Sequence, residues 1–103
     1  MIETVTRKRI EILIDRPLAP RLIEAAATAG VSGYTLIPVQ SGSGRHGRWR
    51  SDPVSGAENK LIFLTIASAE RAERLIELLA PDLDAYSMLL TVGDVQVIRG
   101  ERF

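Results

Sequence analysis

The chain of 103 residues has no cysteine, few aromatic residues and no excess charge of either sign. The absence of cysteine excludes a disulfide framework, a thiolate nucleophile, and zinc or iron–sulfur sites built on cysteine. Thirteen Lys and Arg residues balance thirteen Asp and Glu residues, which argues against a general nucleic-acid-binding protein with its basic excess. At 5% aromatic content, the chain also lacks the rings for an RNA-recognition stacking platform.

Long hydrophobic runs are also missing. No apolar run approaches the ~20 residues of a transmembrane helix, and the N-terminal segment lacks the small-residue cleavage site of a signal peptide. The apolar fraction of 46% is nevertheless too high for a disordered chain. Since the length is typical of one domain, we expect a single domain over residues 1–103 that is cytoplasmic and does not insert into a membrane.

The hydrophobic pattern predicts a mixed α+β fold. Strands are predicted at 8–15, 33–40, 59–67 and 85–92, with a short strand at 95–99 after a turn at Gly93 and Asp94, and helices at 19–29 and 69–80. Gly30 and Pro81 are expected to end the helices, and Ser68 to cap the second one. The order predicts a ferredoxin-like βαββαβ sandwich with a long loop between strands 2 and 3 and a short C-terminal strand.

Two helices cannot cover both faces of such a sheet. An apolar uncovered face would favour an oligomer, and a partly polar face would remain solvated. Both alternatives stay open at this point.

The loop at 41–58, SGSGRHGRWRSDPVSGAE, is unusually long for a compact domain, where segments of this length are functional or disordered. Its first ten residues hold Arg45, Arg48 and Arg50 and no acid. Glycine N–H groups and guanidinium groups suit a phosphate or a carboxylate. A solvated basic surface loop without a ligand explains the same composition equally well.

More specific nucleotide motifs fit this loop poorly. The string GSGRHG at 42–47 matches G-x-G-x-x-G, but the residues that follow are a poor helix start, which disfavours a dinucleotide fingerprint. Arg48 and Trp49 stand where a Walker A loop needs Lys and Ser or Thr. His46 is the single histidine and has no metal-ligand partner in the pattern, so no metal site is expected. Lys60, directly after the loop, is either an anion ligand or a solubilising strand-edge residue.

Several stretches resemble the PII-type signalling proteins. AGVSGYTLIPVQSGSGRHG at 29–47 resembles the entry to their T-loop, and TVGDVQVIRGERF at 91–103 is similar to their final strand. NKLIFLT at 59–65 and DAYSMLLTVGDVQVIRG at 84–100 are most similar to the PII-like branch linked to inorganic carbon, the SbtB and carboxysome-associated proteins. PDLDAYS replaces the glycine- and lysine-rich B-loop of nitrogen-regulatory members, and the T-loop at 41–58 has no tyrosine for uridylylation.

The resemblance implies a homotrimer that holds ADP or AMP in clefts between subunits, with bicarbonate as a second ligand and no catalytic residue. The T-loop would order on binding and engage a bicarbonate transporter or a carboxysome-related protein. The alternative is a protein-interaction module that uses the basic loop without a ligand. The residues that the resemblance and the loop composition place in the nucleotide or anion site are Thr35, Gly42, Gly44, Arg45, His46, Gly47, Arg48, Lys60, Tyr86, Ser87, Met88 and Arg99.

Overall fold

The computed structural model describes residues 2–44, 47–50 and 59–98. The elements are β1 (Val5–Asp15), a 3-10 turn (Arg16–Leu18), α1 (Ala19–Ala29), β2 (Thr35–Val39), β3 (Ser41–Gly44), β4 (Gly47–Arg50), β5 (Lys60–Ala67), α2 (Ala69–Ala85) and β6 (Leu89–Val97). Four strands form an antiparallel sheet in the order β2-β5-β1-β6, while β3 and β4 pair separately. Within the described part of the chain, neither helix has the length and apolar composition needed to span a bilayer.

The core lies between one face of the sheet and the two helices, as the α+β prediction requires. Alternate residues of β1 and β5 point to this side because successive side chains of a strand face opposite ways. The buried apolar residues of the sheet are Ile10, Ile12, Ile14, Leu61, Phe63 and Ala67, and those of the helices are Ala19, Leu22, Ala26, Ala29, Ala72, Leu75 and Leu79. Small alanines let α1 pack close to the strands.

Both predicted helix caps are confirmed. Gly30 ends α1 in the left-handed conformation, with φ of 78°, and its N–H donates to the carbonyls of Ala26 and Ala27. The hydroxyl of Ser68 accepts from the N–H of Arg71 at 3.3 Å, which satisfies one free donor in the first turn of α2. The predicted span of α1 therefore matches the observed one.

The prediction that Pro81 ends the second helix is wrong, because α2 continues to Ala85. Proline removes one helical hydrogen bond and is unfavourable inside a helix. Pro81 lies on the exposed side of α2, where water can satisfy the carbonyl of Glu77. On the other side, Leu83 packs against the core and offsets that loss.

The predicted turn at Gly93 and Asp94 is also wrong. Instead of strands at 85–92 and 95–99, one continuous strand, β6, pairs with β1 from Leu89 to Val97. The long β1 supplies a hydrogen-bonding partner along this whole length. Lys8, opposite Asp94, also forms an ion pair with its carboxylate at 2.5 Å, which compensates for the poor strand propensity of aspartate.

The sequence predicts a structureless loop over 41–58, but the first part of this segment forms the β3–β4 hairpin. Gly44 pairs with Gly47, so two residues connect the strands, a length common in hairpins. Residues 51–58 lie outside the described residues. β2 is an edge strand, as Pro38 predicted, since an edge position tolerates a missing N–H.

The sheet face opposite the helices is called the open face here. It consists of the odd-numbered residues of β1, β2 and β6 and the even-numbered residues of β5. Ile62, Leu64 and Ile66 are half-buried on it, and the side chain of Leu89 is 61% exposed. The ion pair of Arg9 with Glu11, at 2.7 Å, lies on the same face. The open face is therefore mixed, apolar along β5 and mostly charged along β1, so it combines the two alternatives that the sequence left open.

The segment before β2 is fixed to the core by two contacts. The hydroxyl of Thr65, a buried residue of β5, donates to the carbonyl of Gly33 at 2.5 Å. The ring of Tyr34 stacks on Phe63, with ring centroids 5.3 Å apart. Together they set where the chain enters the edge strand.

We predict that Thr65→Val lowers the free energy of unfolding by about 1–2 kcal/mol, because the Gly33 carbonyl loses its partner while the side-chain shape is kept. Urea unfolding followed by circular dichroism measures this. The matched control is Thr28→Val on the exposed side of α1, expected within about 0.5 kcal/mol of the unchanged protein. Equal effects of the two changes would contradict the role given to this hydrogen bond.

Candidate functional site

Most of the predicted ligand residues lie at one end of the sheet. Val39 of β2 pairs with Lys60 of β5, which in turn pairs with Asp15 of β1. β6 begins at the same end, since Leu89 pairs with Leu13. The start of the β3–β4 hairpin, Lys60 and the turn at 86–88 are therefore brought together. We call this end of the sheet the loop end.

Thr35 is the exception among the described residues. It pairs with Leu64 in the middle of β5 and lies on the open face. Val39 is four residue steps further along the extended strand, a distance of about 13 Å. Within one copy of the chain, Thr35 is thus remote from the loop end.

Lys60 is held by an acid that the sequence analysis did not select. Its Nζ lies 2.6 Å from Oδ1 of Asp15, and its side chain is 22% exposed. The neighbouring backbone is also fixed, because the N–H of Arg16 donates to the carbonyl of Asn59 at 3.1 Å. The ammonium group is thus presented at the loop end with a carboxylate partner that an anionic ligand would have to share or displace.

The turn at 86–88 joins α2 to β6, and its backbone donors are engaged. The N–H groups of Tyr86, Ser87 and Met88 donate to the carbonyls of Asp82, Asp84 and Leu83, at 3.0, 3.4 and 3.0 Å. Contacts of this turn with a ligand would therefore use carbonyls or side chains. Met88 is 8% exposed and belongs to the core, so its side chain serves packing.

Ser87 has φ of 52°, the left-handed region that disfavours a residue with a Cβ. Such conformations persist only where surrounding contacts enforce them, and they cluster at functional sites. Here the helix-ending hydrogen bonds and the buried side chain of Met88 enforce it. The strain marks this turn as a candidate ligand contact independently of the sequence pattern.

A second residue group at this turn was missed from the sequence. Arg21 of α1 donates to both carboxylate oxygens of Asp82, from Nε at 2.8 Å and from Nη2 at 3.3 Å. Its guanidinium carbon lies 4.9 Å from the ring centroid of Tyr86. The hydrogen bond to Asp82 and the charge of that carboxylate raise the pKa of Arg21 above its ordinary value. Because the partners lie 61 residues apart, no local pattern could reveal them.

The glycine string at 42–47 lies in the hairpin. Gly42 and Gly44 belong to β3, and Gly47 and Arg48 belong to β4. A dinucleotide fingerprint needs a strand-to-helix turn, so the structure supports rejecting that motif. Arg45, His46 and Arg99 lie outside the described residues. Among the residues that are described, no three His, Asp or Glu side chains come together as a metal site.

Comparisons with known proteins give a consistent picture. The chain matches the family model of the nitrogen regulatory protein P-II over residues 7–102. It is 26% identical to CPII of Thiomonas intermedia K12, a nitrogen regulatory PII-like protein bound to ADP, AMP and bicarbonate; the match covers 100% of this chain and 98% of CPII, with a TM-score of 0.90. No curated protein sequence matches significantly.

Two further structures are similar. CPII bound to ADP and bicarbonate is 26% identical, with coverage of 100% of this chain and 99% of that chain and a TM-score of 0.89. A PII-like signalling protein of Thermus thermophilus is 29% identical, with 99% of both chains covered and a TM-score of 0.85. The structural similarity therefore extends over the whole length of the chain.

We predict that Ser87→Gly raises the free energy of unfolding by about 0.5–1 kcal/mol, because glycine relieves the left-handed strain at the cost of extra freedom in the unfolded chain. Urea unfolding without nucleotide measures it. Gly30→Ala is the converse control: its Cβ would meet Arg71 at an ordinary 3.7 Å, so only the left-handed conformation opposes it. A loss of about 1 kcal/mol is expected there. Destabilisation by Ser87→Gly would contradict the assigned strain.

Proposed function

This chain belongs to the nitrogen regulatory protein P-II family, and we propose that it is a non-enzymatic sensor that binds ADP or AMP. The observation that carries the proposal is its full-length similarity to CPII structures that contain these nucleotides. A regulatory role follows from the family. The nucleotide preference and the site residues are part of the proposal.

In this proposal the nucleotide binds at the loop end. Lys60 supplies a positive charge to the phosphates, and the glycine-rich hairpin brings backbone N–H groups close to them. The turn at 86–88 contacts the ligand through side chains or carbonyls, since its N–H groups bond to α2. The remaining proposed contacts are Thr35, Gly42, Gly44, Arg45, His46, Gly47, Arg48 and Arg99.

We also propose a homotrimer assembled through the open face. A sheet with helices on one side leaves apolar residues such as Ile62 and Leu64 to be covered by another copy. Thr35, which lies on this face and far from the loop end of its own chain, would then meet the nucleotide bound to a neighbouring subunit. In this proposal the ligand lies in clefts between subunits, which would account for the distance of Thr35 from the loop end.

We propose that the protein is cytoplasmic and signals in inorganic-carbon metabolism. CPII is similar over the whole chain and was solved with bicarbonate, which supports bicarbonate as the second ligand here. Nucleotide binding would order the T-loop at 41–58, and the ordered loop would engage or release a bicarbonate transporter or a carboxysome-related protein. The carboxysome-associated or SbtB branch is the family assignment that this proposal favours.

Calorimetry tests the nucleotide site. We expect ADP and AMP to bind, and Lys60→Met to weaken ADP binding about 10- to 100-fold, the effect of losing one charge-assisted contact. Lys8→Met is the matched control, because Lys8 also pairs with a carboxylate, Asp94, but at the opposite end of the β1–β5 pair. The titrations are repeated with bicarbonate to measure its coupling to each nucleotide.

Two results of these titrations would count against the proposal. The absence of heat at millimolar ADP and AMP, with and without bicarbonate, would refute nucleotide sensing. If Lys60→Met and Lys8→Met bind ADP with equal affinity, Lys60 is not part of the site, but the proposal of nucleotide binding still stands.

Light scattering after size exclusion tests the trimer. We expect Leu89→Glu to give monomers, because a charge on the open face opposes its burial between copies. Leu78→Glu is the control: Leu78 is 45% exposed, on α2 in the opposite layer, and its variant should stay trimeric. Two trimeric variants would show that another surface forms the interface.

A further inference from the structure

The turn at 86–88 is tied to a different helix by one side chain. Arg21, Asp82 and Tyr86 form a group that we call the α1 clamp. Arg21 lies in the first turn of α1, whereas its partners lie at the end of α2. The clamp is a contact between the two helices at the point where the chain leaves α2 for β6.

Arg21 makes more contacts in the clamp than an arginine makes in an ordinary surface ion pair. Arg21 uses two donors on the two oxygens of Asp82, whose side chain is 17% exposed. Its guanidinium group also lies over the ring of Tyr86 at 4.9 Å. The planar fork of arginine makes both contacts at once, which the point charge of lysine cannot reproduce fully.

Asp82 carries the effect of Arg21 into the turn. Its carboxylate accepts from Arg21, while its backbone carbonyl accepts from the N–H of Tyr86 at 3.0 Å. On the far side of the turn, Met88 is anchored in the core. Ser87 is therefore held between two fixed neighbours in its left-handed conformation.

From this geometry we propose that Arg21 is a positioning residue for the nucleotide site. Arg21 holds residues 86–88 in the ligand-binding arrangement without contacting the ligand, because its donors are directed to Asp82. The inference rests on the proposed function, because it takes the turn to be a nucleotide contact. A turn ordered in advance spares the ligand the cost of ordering it.

Calorimetry with ADP measures the effect on affinity. We expect Arg21→Gln to weaken ADP binding about 3- to 10-fold, which corresponds to ordering one or two side chains on binding. Arg21→Lys should retain part of the affinity, since it keeps the charge. In the double variant of Arg21→Gln and Asp82→Asn, the two losses should be less than additive because both changes disrupt the same contact.

Arg74→Gln is the matched control. Arg74 also pairs with an acid, Glu70, at 2.6 Å, but on the exposed side of α2 at its beginning. This variant should bind ADP within about twofold of the unchanged protein, the effect of a surface pair remote from the ligand. The comparison distinguishes an effect specific to the position of the clamp from the effect of losing any arginine–carboxylate pair.

Amide hydrogen exchange supplies a local readout that a general loss of stability would not produce. Without ligand, the amides of Ser87 and Met88 should exchange about fivefold faster in Arg21→Gln, while that of Phe63 in the core stays unchanged. Saturating ADP should restore their protection. Uniformly faster exchange, core included, would assign Arg21 to stability alone and overturn the proposal.

The affinities distinguish the two claims. If the unchanged protein binds ADP and Arg21→Gln binds it as Arg74→Gln does, Arg21 is not a positioning residue and the proposed function stands. If the unchanged protein does not bind ADP or AMP at millimolar concentration, both claims fail. Should Arg21→Gln not fold, Arg21→Lys and Asp82→Asn give the same comparison with smaller changes.

Discussion

The structure depends on the central position of β1. This strand of eleven residues pairs with β5 on one side and β6 on the other, so its backbone groups bond in both directions. On the helix side, Ile10, Ile12 and Ile14 form the centre of the core. On the open face, the same strand carries the Arg9–Glu11 ion pair. Core, sheet order and outer surface all follow from this one strand.

The register of β1 also determines what meets at the loop end. Asp15 and Leu13 place Lys60 and Leu89 beside them through direct strand pairing. Neighbouring strands lie about 4.8 Å apart, so β5 and β6, which flank β1, are separated by two such spacings. Three segments far apart in sequence therefore reach one end of the sheet.

Local signals allowed much of the fold to be predicted. Alternation in β1, the glycine at the end of α1 and the cap at Ser68 act over a few residues and were read correctly. Gly93 and Pro81 are local signals too, but longer-range contacts override them: a ladder with β1 in one case and core packing of Leu83 in the other. The α+β fold survived these errors because the order of elements was right.

The candidate site was harder to predict, because its charged residues are paired across the fold. Lys60 could be singled out from its place after the loop, but its partner Asp15 lies 45 residues away. Arg21 and Asp82 are joined only by the packing of two helices. The sequence indicates which segments contribute to the candidate site, whereas only the tertiary structure shows which residues their charged side chains pair with.

The pairing of Val39 with Lys60 constrains how the loop at 41–58 can change its conformation. The two stems of this loop leave adjacent strands that are bonded to each other, about 5 Å apart. Prying them apart would break the ladder between β2 and β5, beginning at its end. A ligand or protein that binds the loop can change the contacts of the loop while the distance between its stems stays the same. The pairing of β2 with β5 therefore fixes the separation of the two stems.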